Sequence, residues 1–371
     1  MLKKSFKKCI LKWKGNMAKT AIIYTPKYLD HKSGHGHPES PKRLKWIMKE
    51  LHNSGLLESG KCSLIEPKPA KTEDVELVHD SDYVRLVKKV SERGGGVLDL
   101  SDTVVSVKSF DTALFAVGGA INAVNLVMEK KFRNAFALVR PPGHHAGPYY
   151  ALGFCLFNNV AIAAMHLLKN FSLDRILILD VDTHHGNGTQ EIFYETDKVL
   201  YVSLHHDPEG FPGTGFADEV GEDQGVGYTV NIPFPFRIDD RIYLEAVDQI
   251  VLPVVRQYKP QFILVSAGFD GHYSDPIGEL SLSIFSYVKT FEKILALASK
   301  LCNGKLVAVL EGGYSKEFLG TITAAVIAKM SAVTYSVQDR QLAATPRIKK
   351  RAKETINEVK NIQSSFWNLK S

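Results

Sequence analysis

Cysteine is scarce in this chain of 371 residues: Cys9, Cys62, Cys155 and Cys302 are scattered and form no CxxC pair. That argues against a cysteine-based metal cluster and for a reducing compartment, so the cytoplasm is the expected setting. Long uninterrupted apolar runs are also missing. No stretch reads as a signal peptide or a membrane span. No repeat, low-complexity tract or long Pro/Gly/Ser linker follows Met17. Even the basic charge is local. The formal net charge is +6, and Lys3, Lys4, Lys7, Lys8, Lys12 and Lys14 supply that whole excess before Met17, with no acid among them. The remainder is therefore not a basic nucleic-acid-binding surface by composition. Residues 1–16, MLKKSFKKCILKWKGN, read as a disordered leader, or as residues ahead of a true start at Met17. A basic arm touching nucleic acid or anionic lipid is the alternative. Residues 17–371 read as one domain.

What is present is an ordinary globular composition, 44% hydrophobic and 23% charged. Short apolar runs alternate with longer helical patterns, the signature of an α/β domain with a mostly parallel sheet flanked by helices. The clearest strands are Ala135–Val139, Ile176–Leu179, Val199–Leu204, Phe262–Ser266 and Leu306–Leu310. All are rich in branched residues and apolar on both faces, as buried parallel strands should be. Helices are expected from Ser40-Pro41 through Leu51 and over Phe110–Lys130, Asp239–Tyr258, Ser283–Leu301 and Phe318–Ser331. A surface helix over Arg347–Trp367 should dock by its aromatic end.

Polar residues and glycines follow each clear strand: PPGHH, DVDTHHGNG, HHDPEGFPGTG, AGFDGHYSDP and EGGY. In an open α/β sheet, ligands bind at the carboxyl ends of the strands, so five loops on one rim can build one site. Asp180, Asp182 and His184 are spaced i, i+2, i+4, which aligns them on an extended segment. Two carboxylates and an imidazole together are metal-ligand chemistry. Asp270, in the loop after another strand, is the best third protein ligand for a catalytic metal with an open position. Such a metal activates water and polarises a carbonyl. His144 and His145 then supply imidazoles for proton transfer, with Asp180 and Asn187 available to fix their tautomers. Tyr314 would place a phenol near the polarised carbonyl. Taken singly, GHH also describes a surface loop and GGY an ordinary turn. Asp207 and Asp275 read as loop acids, and His205, His206 and His272 as rim or structural residues.

RPPGHHA, GFCLFNNVAIAA, DVDTHHGNGTQ, SLHHDPEGFPGTG, SAGFDGHYSDPIG and LEGGY, in this order, resemble the zinc-dependent histone deacetylase family, which also includes acetylpolyamine amidohydrolases and acetoin-utilisation proteins. HGHPESPKRL, from His35, is similar to the family's N-terminal signature. HHGNGTQ looks most like the class II and bacterial/archaeal branch, since Asn187 stands where class I usually has Asp. The resemblance runs from about Ile22 to the terminal FWNL. It implies a single arginase-like α/β domain with its active site at the carboxyl ends of the strands. It implies zinc, with iron(II) as an alternative, at Asp182, His184 and Asp270. His145 would be general base, His144 its charged partner and Tyr314 the carbonyl-polarising residue. Phe154 and Phe211 would wall a narrow tunnel with Gly153 at its base, and Asp102 would grip the substrate backbone at the rim. Structural potassium is implied at an inner site of Asp180, Asp182, His184, Ser203 and Leu204. An outer potassium site would use Phe193, Thr196, Val199 and Tyr228. Tyr314 differs from one weakly active vertebrate branch, which has His there. Ile277 stands where the polyamine-selective vertebrate branch has an acid.

The activity so implied is removal of acetyl groups from protein lysine. Deacetylation of small molecules such as acetylpolyamines is an alternative, and a non-catalytic acyl-lysine reader is an alternative of another class. A binuclear arginase-like hydrolase would need further carboxylate ligands, and His185-Gly186 offers none.

Overall fold

The computed structural model describes residues 19–98 and 102–369; the expected leader over residues 1–16 lies outside them. Ten strands are present among these residues: β1 (Thr20–Ile23), β2 (Cys62–Ile65), β3 (Gly95–Val97), β4 (Val104–Ser106), β5 (Asn134–Ala137), β6 (Ile176–Asp180), β7 (Val199–His206), β8 (Thr229–Phe234), β9 (Phe262–Ala267) and β10 (Leu306–Leu310). Eight form one sheet in the order β2-β1-β5-β10-β9-β6-β7-β8. Every pairing in it is parallel, while β3 and β4 form a separate antiparallel hairpin. Strands β5, β6, β7, β9 and β10 are buried along their whole length, as sheet strands covered by helices on both faces must be.

The order of the sheet positions the site. The five strands whose loops carry the polar motifs lie side by side, as β5-β10-β9-β6-β7. Parallel pairing puts their carboxyl ends on one edge. In register, Asp180 stands beside Ser203 of β7 and Ser266 of β9.

The helices follow their end signals. Ser283 caps the helix Ile284–Leu301 by accepting the Phe285 N–H, and Asp239 caps the next-earlier long helix by accepting the Ile242 N–H. That helix differs from the expected uniform run. Asp240–Ala246 passes through a π turn at Val247–Val251 before Leu252–Tyr258. Pro253 has no N–H for a helical bond and its ring would strike the carbonyl four residues earlier, and a π turn just before it relieves both. The helix Ser109–Met128 runs through Gly118-Gly119 without a break. By length and composition it could cross a membrane, which corrects the expectation that no stretch does. Here Phe110, Ala113, Ala116, Val117, Ala120, Ala123, Val124 and Val127 are buried within the protein, the pattern of a core helix. At the C-terminus, Trp367 donates to the Gly227 carbonyl at 2.9 Å and packs edge-on against Tyr228 and Tyr258, whereas Phe366 stays 40% exposed.

Candidate active site

The five loops enclose a pocket of about 370 Å³. Its lining includes His144, His145, Gly153, Phe154, Asp182, His184, Phe211 and Tyr314, with Asp102 also contributing to the wall. Residues from β5, β6, β7 and β10 loops thus meet, as their adjacency in the sheet requires.

Asp182, His184 and Asp270 converge beneath it. Each offers a ligand atom, and these atoms lie within 4.8 Å of one another. His184 Nδ1 is 3.2 Å from both Asp182 Oδ1 and Asp270 Oδ2. The two carboxylates are fully buried, and buried like charges this close are stable only with a proton or a cation between them. Burial, then the Asp182 charge, pushes the Asp270 carboxyl up to about 7. Asp182 goes the other way: against the effect of burial, His144 and the His184 contacts hold it well below the usual carboxylate range. Two carboxylates and one imidazole fit a small divalent ion that keeps open positions. The second carboxylate oxygens are already used: Asp182 Oδ2 accepts the Gly312 N–H at 2.8 Å and Asp270 Oδ1 the Thr183 N–H at 3.0 Å. Glycine at 312 is required for this, since a Cβ there would lie 2.3 Å from Asp270 Oδ2 and 2.5 Å from Asp182 Oδ2.

The adjacent histidines have different supports. His144 Nδ1 donates to Asp180 Oδ2 at 3.0 Å, a buried carboxylate. His145 Nδ1 donates to the Asn187 amide oxygen at 2.8 Å. That amide is oriented by its own NH₂, which donates to Tyr150 Oη at 3.1 Å. Burial disfavours a charge on either ring. At His144 the Asp180 and Asp182 charges outweigh burial and push its pKa up to about 10. At His145 burial, reinforced by His144 and His184, holds the ring well below the usual histidine range. Two imidazoles 4.0 Å apart between centroids are thereby split into a cation and a neutral base.

Tyr314 is buried, its ring 4.8 Å from the Arg43 guanidinium carbon and edge-on to Phe154. Burial pushes its hydroxyl well above the usual phenol range, so it stays a donor. Phe211 stands edge-on to His145 and His184 on the other side of the pocket. Gly153 (φ +53°) and Phe154 (φ +70°) both adopt left-handed backbone. A Cβ at residue 153 would meet His145 Cδ2 at 2.5 Å and Phe211 Cζ at 2.9 Å, so only glycine fits the base of the wall. The Asp102 carbonyl oxygen accepts from His37 Nε2 at 3.1 Å.

Of the implied inner potassium site, Asp180 ends β6 beside Ser203 of β7, Leu204 follows within β7, and Asp182 and His184 lie in the loop after β6. Ser203 Oγ is within 2.8 Å of His205 Nδ1. Of the outer set, Phe193 ends the helix Asn187–Phe193, Thr196 lies in the turn before β7, Val199 opens β7, and Tyr228 precedes β8.

Several site residues carried no separate reading in the sequence. Glu311 Oε2 accepts the Gly143 N–H at 2.7 Å and the His144 N–H at 3.2 Å, so a buried carboxylate at the end of β10 fixes the backbone that carries both histidines. Glu39 pairs with Arg140 at 2.6 Å and with Arg43 at 3.3 Å. Arg43 Nε also donates to the Gly313 carbonyl at 2.7 Å. The HPESPKR segment thus ties the start of PPGHH to the EGGY loop. The i, i+4 spacing of Glu39 and Arg43 was the available signal. His206, Phe236, Ile277 and Glu279 also line the pocket.

His79 supports the same region from behind. Its Nδ1 donates to the Gly147 carbonyl at 2.9 Å and its Nε2 accepts the Asn158 N–H at 2.8 Å. A second proton would have to displace that N–H, and burial lowers the pKa to about 4. The unfolded chain takes up this proton near pH 6.5, the folded one only near pH 4. Stability from this site is therefore full above about pH 6.5 and lost as pH falls toward 4. The stability gap between the wild type and His79→Gln, measured by urea unfolding, is expected to shrink by about 2 kcal/mol from pH 7 to pH 5. A gap that stays constant would contradict a neutral, buried His79.

Residues 37–330 match the family described as Histone deacetylase domain. The chain belongs to the histone deacetylase family. It is 44% identical over 357 residues to a probable deacetylase of Archaeoglobus fulgidus, covering 94% of this chain and 98% of that one. It is 37% identical over 304 residues to a histone deacetylase-like amidohydrolase of Pseudomonas aeruginosa, covering 82% and 79%. Among solved structures, the HDA15 HD domain superposes with a TM-score of 0.84 at 34% identity, covering 94% of this chain and 96% of that one. The deacetylase family and the single α/β fold expected from the motifs both stand. A hydrolase of acetylated substrates is the activity this family carries.

Proposed function

We propose that this chain removes acetyl groups from the ε-amino group of lysine in proteins, with zinc as the bound metal. The observation that carries the proposal is the convergence of three metal donors, two differently supported histidines and a buried phenol at one pocket between Phe154 and Phe211. Zinc held by Asp182, His184 and Asp270 would polarise the acetyl carbonyl and acidify the attacking water, and iron(II) is an alternative occupant.

The chain's own residues do the rest. His145 keeps its Nδ1 proton on Asn187, which leaves Nε2 to take the proton of the attacking water. His144, held against Asp180, keeps its positive charge beside the reacting groups. The Tyr314 hydroxyl donates to the carbonyl oxygen as negative charge develops there. When the carbon–nitrogen bond breaks, the proton taken by the histidine goes to the departing amine, and acetate is the second product. Phe154 and Phe211 exclude water from an apolar lysine stem, and Asp102 holds the substrate backbone at the mouth. Potassium at the inner and outer sites belongs to the same proposal as a structural cation. The cytoplasm belongs to it as well, in keeping with the buried, unpaired Cys62, Cys155 and Cys302.

Deacetylation of small amines such as acetylpolyamines is the second reading. Asp102 and Glu279 both line the pocket, and no lysine or arginine is among its described lining residues, which favours a cationic substrate. The two readings separate by kcat/KM. A higher value on an acetyl-lysine peptide than on an acetylpolyamine is expected, and the reverse order would move the assignment to small molecules. Acyl-lysine binding with no turnover of either would leave the reader.

A further inference from the structure

Asp275 looks like a loop acid in the sequence. In the fold it is buried and receives four backbone N–H groups from two loops. Oδ2 accepts from Tyr314 at 2.6 Å and Ser315 at 3.0 Å. Oδ1 accepts from Ile277 at 3.0 Å and Gly278 at 3.3 Å. Among the described residues no lysine or arginine forms an ion pair with it, and backbone N–H groups solvate the carboxylate. The first pair of donors belongs to the loop after β10, the second to the loop after β9. Tyr314 and Ile277, one from each loop, both line the pocket.

The Tyr314 loop needs such a tether. Gly312 and Gly313 precede the tyrosine, and Gly313 sits at φ +113°, a conformation with little side-chain constraint. On one side Arg43 holds the Gly313 carbonyl. On the other, Asp275 holds the next two amides, and Ser274 Oγ bonds Ser315 Oγ at 2.9 Å beside it. The backbone that carries the phenol is therefore held by a residue that does not line the pocket.

We propose that Asp275 is the positioning residue for Tyr314, coupling the catalytic phenol to the Ile277 wall of the pocket. The proposal rests on the role given to Tyr314 above. Asparagine is the informative substitution because it keeps the shape. It offers one oxygen and one NH₂, so in either orientation two of the four N–H groups face a donor.

Asp275→Asn is expected to lower kcat 10- to 100-fold on an acetyl-lysine peptide with KM changed less than threefold. In a Tyr314→Phe background the same substitution should cost less than twofold, because the hydroxyl it positions is already gone. Independent multiplication of the two losses, or a wild-type kcat in Asp275→Asn, would overturn the proposal. Hydrogen exchange provides a readout without substrate. Peptides covering residues 311–316 should exchange faster in Asp275→Asn than in the wild type, and unchanged exchange would also overturn it. If Asp275→Asn does not fold, Asp275→Ser, which keeps a single acceptor, is read by the same two criteria. An inactive wild type would instead count against the deacetylase reading, while the exchange result still judges the tether.

Discussion

Tyr314→Phe is expected to lower kcat/KM on an acetyl-lysine peptide by about 10²–10³, the usual effect of removing one donor to a developing oxyanion. The substitution removes a single oxygen. The ring's contacts with Arg43 and Phe154 remain, so the folded state should change by less than about 1 kcal/mol. Burial keeps the phenol protonated far above neutral pH, so the loss should be the same at pH 7 and pH 9. Activity within threefold of the wild type would remove Tyr314 from the mechanism. A large loss of thermal stability would instead point to a packing role.

His145→Ala is expected to lower kcat by about 10²–10⁴, the range for loss of a positioned general base. The prediction is specific to its neighbours. His145 is kept neutral by burial and by the charge on His144, so it holds an open lone pair where His144 does not. Asn187→Ala should produce a smaller loss in the same direction, because the ring remains but its tautomer is no longer fixed by the amide oxygen. Kinetics on purified variants check both. A full wild-type kcat in His145→Ala would require a different proton acceptor.

Much of the architecture was legible because buried parallel strands have an unmistakable composition. ILIL, FILVS and LVAVL are branched and apolar on both faces, and each is followed at once by polar residues. β1, β2 and β8, like the short β3 and β4, carry a weaker signature. β1 has only four residues, β2 is a half-exposed edge strand, and β8 is an edge strand interrupted by Asn231 and Pro233. The DVDTH and GHH motifs were legible as well, and the spacing of Asp182 and His184 two apart after β6 was the signal for a shared ligand group. Asp270 and Tyr314 came from loops on other strands, and the sheet order brings them in.

The supporting carboxylates were harder to see. Glu311 and Asp275 act on backbone N–H groups of other loops, and a sequence displays no pattern for such bonds. Glu39 and Arg140 are 101 residues apart and meet only in the fold. The π turn at Val247–Val251 was hinted at by Pro253 alone. In each case the deciding contact is long-range, and periodicity reports only local geometry.

The central claim is that Asp182, His184 and Asp270 hold a metal that this chain uses to hydrolyse an acetyl amide. The most direct test is acetate release from an acetyl-lysine peptide by the full chain as purified, after chelation, and after return of one equivalent of zinc, with bound metal quantified in each sample. One zinc per chain is expected, with loss of at least 99% of the activity on chelation and its recovery when zinc is returned, since the metal supplies the activation of water. Undiminished acetate release from the metal-free chain, or no release by the zinc-loaded one, would contradict it.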